Sequence, residues 1–190
     1  MDEAEAVSRL KQGVIAGLEA LVKAYQGRAL RAAVLVVRDA QLAEDVVADA
    51  FLRAYDRIHQ YDSRRPFGPW FYRIVVNLAR RRAAQHAREQ ALPDEAAGGE
   101  SALESMLSAV QAGPHAMAER AELREAIWEA LGRLTPAQRA TVVQRYYLDL
   151  SEREIAAGLR CSVGTVKWRL HAARQRLAKW LRPLWEGSSR

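Results

Sequence analysis

Hydrophobic residues recur along most of the chain at the three- and four-residue spacing of amphipathic α-helices. Apolar faces of this kind lie on Val14–Tyr25 and Ala29–Val37. Asp39 stands where it can cap a helix that runs to about His59, and Trp70–Arg88 carries a further helical pattern. Because no segment shows the convincing two-residue alternation of a strand, we predict an all-α protein.

Interruptions in the helical pattern predict two small domains joined by a linker. Residues 1–88 form the first domain, in which Tyr61–Pro69 is a loop marked by proline and glycine. Residues 89–119 hold acidic side chains but no lysine or arginine, and prolines and glycines interrupt them. We predict that this segment is a flexible linker with one short helix near Ala102–Val110, and that residues 120–185 form the second domain.

Helix start signals are densest in the second domain. Thr135 precedes a proline at the favoured first helical position, and the helix that follows is predicted to run through Tyr147. Ser151 and Glu154 have the spacing of a capping box, and Ser162 stands at the start of a longer helix. A short helix, a tight turn and a long helix make a helix-turn-helix, the motif that places its second helix in the major groove of DNA.

The charge of the long helix supports DNA binding, because every formal charge between residues 160 and 182 is positive. Its apolar residues share one face of the helix, so the opposite face would contact bases while the flanking cations reach phosphates. The core face consists of Val163, Val166, Leu170, Ala173 and Leu177, the outer face of Gly164, Trp168, His171, Ala172 and Gln175, and the flanks of Lys167, Arg169, Arg174 and Arg176. The alternative is a helical hairpin whose basic face is merely solvated.

One face of the helix that follows Asp39 is acidic. Asp45, Asp49, Leu52 and Asp56 form this acidic stripe, and a separate face holds the core residues Val47, Ala50, Ala54 and Ile58. Negative charge repels nucleic acid, so the stripe favours a basic protein surface as its partner. The alternative is again a solvated helix face.

The next helix is basic on the side that faces away from its core residues, which are Phe71, Ile74, Val75 and Leu78. That side carries Arg73, Asn77, Arg80, Arg81 and Arg88, and the aromatic residues Tyr61, Phe67 and Trp70 lie just before or at its start. Cations that follow phosphates and rings that stack on bases are what single-stranded nucleic acid binding requires. We expect Tyr61, in the polar loop, to be the stacking residue, whereas Trp70 and Phe71 fit core positions equally well.

Composition excludes several other classes of function. The chain has a net charge of +6 and a single cysteine, Cys161, so it has no internal disulfide framework. The four histidines are scattered without ligand spacing, and no nucleophile–base pair or phosphate-cradling glycine loop is present. We therefore expect no enzyme, no metal and no cofactor. Because no apolar run reaches membrane-spanning length and the N-terminus lacks a signal-peptide pattern, we expect a cytoplasmic protein.

Motifs in both domains resemble the extracytoplasmic-function (ECF) sigma factors of bacterial RNA polymerase. AEDVVADAFLRAYDRI (Ala43–Ile58) and RPFGPWFYRIVVNLARR (Arg65–Arg81) resemble sigma region 2. LTPAQRATVVQRYYLDLSEREIAAGL (Leu134–Leu159) and VGTVKWRLHAARQRL (Val163–Leu177) resemble region 4. Both motifs stand in the family's order, with a variable linker between them.

The resemblance implies a region 2 helical bundle, a region 4 helix-turn-helix domain and a role in promoter-specific transcription initiation with core RNA polymerase. It implies that Asp45, Ala48, Asp49, Leu52, Tyr55 and Asp56 dock on the polymerase clamp. The −10 promoter strand would be bound by Tyr61, Asp62, Ser63, Arg64, Arg65, Trp70, Arg73, Asn77, Arg80 and Arg81. The −35 duplex would be read by Ser162, Gly164, Thr165, Lys167, Trp168, Arg169, His171, Arg174 and Gln175. It also implies an anti-sigma partner, with the free factor a monomer and the inhibited form a heterodimer.

The chain departs from the family pattern at three places. Ala48 and Asp49 stand where a Gln–Glu pair is frequent, and Trp168 follows Lys167 where a small residue is usual. Arg160 occupies the turn position that is usually glycine, which would cost about 1 kcal/mol if its φ is positive.

Two other functions fit parts of the sequence. A stand-alone helix-turn-helix regulator would bind duplex operators as a dimer. This alternative gives no function to the acidic stripe or to the Tyr61 loop. An all-helical adaptor would tolerate neutralisation of Arg169 and Arg174 without loss of function.

Overall fold

A computed structural model describes residues 1–89 and 114–187, with side chains described for residues 1–89 and 121–182. The described part consists of helices and the turns that connect them. The all-α prediction is confirmed. Residues 90–113 of the predicted linker, which include its short helix near Ala102–Val110, lie outside the described residues.

Four helices and one short turn make up the first domain. They are α1 (Glu3–Lys11), α2 (Ile15–Val37), α3 (Ala40–Asp56), a 3₁₀ turn (Ile58–Gln60) and α4 (Phe67–Glu89). The helices α2, α3 and α4 contact one another, and α1 packs on α2. Their apolar faces enclose a core in which Phe67, Phe71 and Leu21 are almost completely buried.

Local signals account for where these helices begin. The carboxylate of Asp39 accepts a hydrogen bond from the Leu42 amide at 2.7 Å, as its predicted capping role requires. The helix α1 was not predicted, although Asp2 caps it by accepting from the Glu5 amide at 2.8 Å. The two apolar segments predicted before Asp39 belong to one helix, α2, which continues through the exposed Gly27.

The loop predicted at Tyr61–Pro69 ends earlier than predicted, because α4 already begins at Phe67. Pro69 lies in the first turn of that helix, where a residue needs no amide hydrogen for the helical hydrogen-bond pattern. Phe67 is fully buried, and its ring packs on those of Tyr25 and Trp70. Burial of this ring gives the first turn of α4 a core contact.

The second domain contains α5 (Pro114–Gly132), α6 (Pro136–Val142), a π-helical turn (Val143–Tyr147), α7 (Glu152–Leu159) and α8 (Val163–Gly187). Thr135 and Gln138 form a capping box at the start of α6, with Pro136 in the first turn as predicted. The helix α5 begins before the predicted domain start at residue 120, within the segment assigned to the linker.

The two domains are packed against each other. The helix α4 contacts α6 and α7, and α2 contacts α6 and the π-helical turn. Buried apolar residues of both domains form one continuous cluster, from Ala6 in α1 to Ala173 in α8. The surfaces predicted to bind partners therefore lie on two domains that pack against each other.

Candidate nucleic-acid interface

The predicted helix-turn-helix is present in α7 and α8. The hydroxyl of Ser151 accepts from the Glu154 amide, and the Glu154 carboxylate accepts from the Ser151 amide at 2.8 Å. Arg160 ends α7 with φ +52° and ψ +51°, so the turn does use a left-handed residue at the position where a glycine is usual. The Ser162 hydroxyl then caps α8 by accepting from the Thr165 amide at 3.0 Å.

The helix α8 has the two faces that its sequence predicts. Val166, Leu170 and Ala173 are at most 2% exposed and hold α8 on the rest of the domain. Trp168 is 66% exposed on the other side. The remaining outward residues are also exposed, namely Gly164, His171 and Gln175, with Ala172 half-buried.

The cations that flank this outer face differ in their exposure and in the contacts that they make. Lys167 and Arg174 are exposed, and the Lys167 ammonium lies 4.0 Å from the Glu152 carboxylate. Arg169 is half-buried, and one of its nitrogens lies 3.8 Å from the Cys161 sulfur. Arg176 donates to the Gln138 side chain at 3.1 Å, so it fastens α8 to α6.

The structure contradicts the expected exposure of Tyr61. Its side chain is 5% exposed, and its ring packs on Phe67 and Trp70 at centroid distances of 5.6 and 5.1 Å. Its hydroxyl donates to the main-chain carbonyl of Arg65. A ring enclosed in this way has no free face for a base, because loop position alone does not determine whether a side chain is buried. Tyr61 instead anchors the loop from inside.

The polar residues that follow Tyr61 lie on the surface. Asp62, Ser63, Arg64 and Arg65 are exposed, and the Arg64 and Arg65 side chains are 95% and 82% exposed. Asp62 lies 3.8 and 3.7 Å from their guanidinium groups, and Lys11 donates to the Ser63 hydroxyl at 2.8 Å. The loop thus exposes two arginines to solvent, while the hydrogen bond from Lys11 holds it on α1.

The basic side of α4 lines a cleft between the two domains, here called the interdomain cleft, with a volume of about 390 Å³. Six arginines line it, namely Arg53, Arg57, Arg73, Arg80, Arg81 and Arg160, together with Gln60, Trp70, Ile74, Asn77, Leu78, Ala157, Gly158 and Leu159. No acidic residue is among these described lining residues. The Nε of Arg80 is buried and lacks a hydrogen-bond partner among the described residues.

Asn77 closes one side of this cleft. Its side-chain amide donates to the main-chain carbonyl of Gly158, in α7 of the second domain, at 2.9 Å. Gly158 also lies against Arg73, since a Cβ at that position would come within 2.8 Å of the Arg73 Cγ. Two residues assigned to −10 binding are therefore in contact with the helix-turn-helix.

Most of the acidic stripe on α3 is exposed. Asp45 and Asp56 are exposed, whereas Asp49 is half-buried and lies 3.5 Å from the Arg82 guanidinium. Leu52 is 62% exposed and Tyr55 is 40% exposed beside these carboxylates, and Ala48 is exposed as well. The residues predicted for the core face are all buried, namely Val47, Ala50 and Ala54 of α3 and Ile58 of the 3₁₀ turn that follows.

Sequence reasoning missed the residues that support these surfaces. Lys11 and Glu3 of α1 hold the loop and the start of α4, and Arg53 and Arg57 add charge to the interdomain cleft. The signal for α1 was available, since Asp2 precedes Glu5 at capping distance and Ala6, Val7 and Leu10 have helical spacing.

The described residues contain no group of three or more histidine, cysteine, aspartate or glutamate side chains that could hold a metal ion. Among the described helices, none combines the length and the apolar character that a membrane-spanning segment needs.

Comparison with known proteins matches both domains to one family. Residues 21–89 match the Sigma-70 region 2 model, and residues 124–177 match the Sigma-70 region 4 model. The chain is 31% identical over 179 residues to the ECF RNA polymerase sigma factor SigW of Bacillus subtilis, covering 94% of this chain and 96% of that protein. The chain belongs to the ECF sigma factors. It is also 31% identical over 182 residues to the RNA polymerase sigma-H factor of Pseudomonas aeruginosa, covering 94% of this chain and 93% of that protein.

Solved structures show the same fold at lower identity. CnrH, in complex with the cytosolic domain of CnrY, superposes with a TM-score of 0.66 at 23% identity over 96% of this sigma factor and 99% of that chain. The sigma factor RpoE of Bartonella quintana, in complex with the anti-sigma factor NepR, superposes with a TM-score of 0.61 at 22% identity. The match covers 90% of this chain and 96% of that chain. The predicted family, fold class and role in transcription initiation are confirmed, and the regulator and adaptor alternatives are not favoured.

Proposed function

We propose that this sigma factor uses three separate surfaces, one to bind RNA polymerase and two to recognise the promoter. The acidic stripe of α3, with Ala48 and Tyr55, docks on the clamp of core RNA polymerase. The loop Asp62–Arg65 and the basic side of α4 capture the −10 strand, and the outer face of α8 reads the −35 duplex. The observation that carries the proposal is the charge of these surfaces: acidic and apolar on α3, basic on α4 and α8.

The chemistry of each surface fits its proposed partner. Exposed Leu52 and Tyr55 beside carboxylates can bury apolar area in a protein interface while the charges select a basic partner. Arginines and Asn77 on α4 offer phosphate and base-edge contacts. Trp70, whose ring is half-buried, takes the place of Tyr61 as the stacking residue of this proposal.

The proposed domains are residues 1–88 for clamp and −10 binding and residues 120–185 for −35 binding, joined by residues 89–119. We assign no catalytic residue to this chain, because RNA synthesis is performed by the polymerase. We propose that it acts in the cytoplasm and that an anti-sigma protein inhibits it, as the solved complexes of CnrH and of the Bartonella RpoE suggest.

Run-off transcription with core polymerase on a promoter library tests the proposal. Transcripts that require this sigma factor should share conserved sequences at both −10 and −35. Transcripts that are equally abundant without it, or tight binding to duplex operators without polymerase, would contradict the proposal.

A further inference from the structure

We infer that the interdomain cleft binds a small polyphosphate, a molecule with a short chain of phosphate groups such as a nucleoside triphosphate. Three of the six arginines that line the cleft have no part in the proposed function, namely Arg53, Arg57 and Arg160. Arg53 and Arg57 lie at the end of α3, and Arg160 ends α7. These three cations come from both domains, and the proposed promoter contacts leave them unexplained.

The cleft concentrates positive charge without an acid to balance it. Six arginines line a volume of about 390 Å³, and none of the described lining residues is acidic. Guanidinium groups that share so small a volume repel one another, and a bound anion removes that repulsion. A chain of phosphates carries several negative charges, so it balances more of these cations than a single phosphate or carboxylate does.

The arginines also supply the hydrogen-bond donors that phosphate groups require. The planar guanidinium can donate two parallel hydrogen bonds to one phosphate. The Nε of Arg80 is buried and has no hydrogen-bond partner among the described residues, so this donor is available to a ligand. The six side chains differ in depth: Arg53, Arg73 and Arg80 are half-buried, and Arg57, Arg81 and Arg160 are exposed. A ligand can therefore enter from solvent and meet cations along its whole length.

Arg160 is the residue that points most clearly to a ligand. It has φ +52° and ψ +51°, a left-handed conformation in which any residue other than glycine bears a steric cost. The side chain kept at this cost lines the cleft. Backbone strain that is retained in this way is typical of functional sites. Because Arg160 belongs to the second domain and Arg57 to the first, a phosphate chain between them contacts both domains.

The size and the wall of the cleft limit the ligand to a small molecule. Small-molecule sites commonly have volumes of about 300–1,000 Å³ and often lie between domains. Besides the arginines, the wall contains Trp70 and Ile74. The ring of Trp70 is half-buried, and an aromatic ring in this place can stack on a nucleobase while the phosphates reach the arginines. Nucleotides and inorganic polyphosphate share the phosphate chain, and their relative affinity separates the two sources.

A bound polyphosphate and the −10 strand would exclude each other, a consequence that rests on the proposed function. Arg73, Arg80 and Arg81 line the cleft and are also assigned to the −10 strand. A guanidinium that is neutralised by the small molecule no longer attracts the phosphates of DNA. The concentration of the ligand would then regulate how readily this sigma factor engages a promoter.

The test is isothermal titration calorimetry of the free full-length protein at physiological ionic strength with ATP, inorganic tripolyphosphate and AMP. Arg57→Ala removes an exposed cation of the first domain. Arg160→Gly removes the cation of the second domain and gives the left-handed turn a residue that adopts it without strain. The matched controls are Arg9→Ala and Lys179→Ala, which each remove one charge from an exposed side chain outside the cleft.

We expect one molecule of ATP or tripolyphosphate to bind per protein, and AMP to bind more weakly by at least about tenfold because it has a single phosphate. Arg57→Ala and Arg160→Gly should each weaken the tighter ligand by about tenfold, whereas both controls should bind like the wild type. Tighter binding of ATP identifies a nucleotide, and tighter binding of tripolyphosphate identifies an inorganic chain. Circular dichroism verifies that each variant is folded.

Three results would overturn the inference: no saturable binding of one ligand per protein, controls that weaken binding as much as the cleft variants, or dependence on Arg57 without dependence on Arg160. Fluorescence anisotropy then follows the labelled non-template −10 strand of a promoter recovered from the run-off library, which the tighter ligand should displace. A ligand that binds as expected but leaves the strand bound would contradict the assignment of α4 to the −10 strand, not the polyphosphate site.

Discussion

Lys11 contacts Tyr61 through both the main chain and the ring. Its ammonium donates to the Tyr61 carbonyl at 2.8 Å and lies 5.6 Å from the centre of the Tyr61 ring. Glu3, on the same short helix, accepts from the Phe67 amide at 3.0 Å. The helix α1 therefore fixes both ends of the loop that carries Arg64 and Arg65, and Tyr61 serves as the buried anchor between them.

This anchoring role separates two substitutions of Tyr61. Tyr61→Ala removes a buried aromatic ring and should lower the free energy of unfolding by about 3–5 kcal/mol. Tyr61→Phe keeps the ring and loses only the hydrogen bond to the Arg65 carbonyl, so the loss should be about 1 kcal/mol. Urea unfolding followed by circular dichroism measures both. Equal stability of Tyr61→Ala and the wild type would contradict the buried position.

Two glycines of α2 should respond in opposite directions to substitution by alanine. A Cβ on Gly17 would come within 2.4 Å of the Ala6 carbonyl and 2.6 Å of the Leu10 amide nitrogen, so Gly17→Ala should separate α1 from α2. Gly27 is exposed, and its nearest neighbour would be 3.9 Å away. Gly27→Ala should therefore stabilise the helix by up to about 1 kcal/mol. Thermal melts of the two variants provide the comparison, and a Gly17→Ala melting temperature at or above the wild type would exclude the close helix contact.

Local signals in the sequence predicted the helix caps correctly. Thr135, Ser151 and Ser162 act on residues within one helical turn, so their roles are readable from short segments. Arg160 has a positive φ, which the sequence left open, so the cost of about 1 kcal/mol for a non-glycine residue applies there. The outward direction of Trp168 followed from the helical periodicity of its neighbours.

Contacts between distant parts of the chain could not be predicted in the same way. Lys11, which is 50 residues away, donates to the Tyr61 carbonyl, and Asn77 donates to a carbonyl 81 residues further on. No periodicity or motif relates such positions. The exposure expected for Tyr61 from its polar neighbours was therefore wrong, and the coverage of Asn77 by α7 was not anticipated.

Alkaline pH should titrate the half-buried phenol of Tyr25 and so change the stability of the fold. Burial, together with a hydrogen bond to Glu3, raises the pKa of its hydroxyl above the ordinary value of 10.0. The folded protein thus retains the proton more strongly than the unfolded chain. The resulting stabilisation is complete below pH 10 and is lost as the pH rises through the folded pKa.

The variant Tyr25→Phe isolates this contribution. At pH 8 it should be less stable than the wild type by about 1 kcal/mol, because the bond to Glu3 is lost. Above pH 10 the difference should shrink and then reverse. Burial lowers the pKa of Arg139 to about 10, but this group is common to both proteins and cancels in the comparison. Urea unfolding at several pH values gives the difference, and a difference independent of pH would contradict the raised pKa.

Trp168 should affect promoter choice without affecting the fold. Because the side chain is 66% exposed, Trp168→Ala should change the free energy of unfolding by no more than about 0.5 kcal/mol. If the indole contacts thymine methyl groups, replacing thymine by deoxyuridine at −35 should weaken wild-type transcription more than that of the variant. Lys179→Ala, exposed on the same helix outside the proposed reading residues, is the control. Equal sensitivity of wild type and Trp168→Ala to the base change would exclude this contact.

The acidic stripe of α3 offers the most direct test of the account as a whole. Asp49 already pairs with Arg82, so reversal at Asp45 combined with Leu52→Ala perturbs the surface without breaking that pair. Glu19→Lys, an equal charge reversal at an exposed position of α2, is the control.

The decisive measurement is competition of these variants with a labelled sigma factor for core RNA polymerase. We expect Asp45→Lys/Leu52→Ala to need at least a tenfold higher concentration than the wild type, a loss of about 1.4 kcal/mol or more in binding free energy. We expect Glu19→Lys to compete like the wild type. Undiminished competition by Asp45→Lys/Leu52→Ala would contradict the assignment of α3 to polymerase and with it the proposed division of the three surfaces.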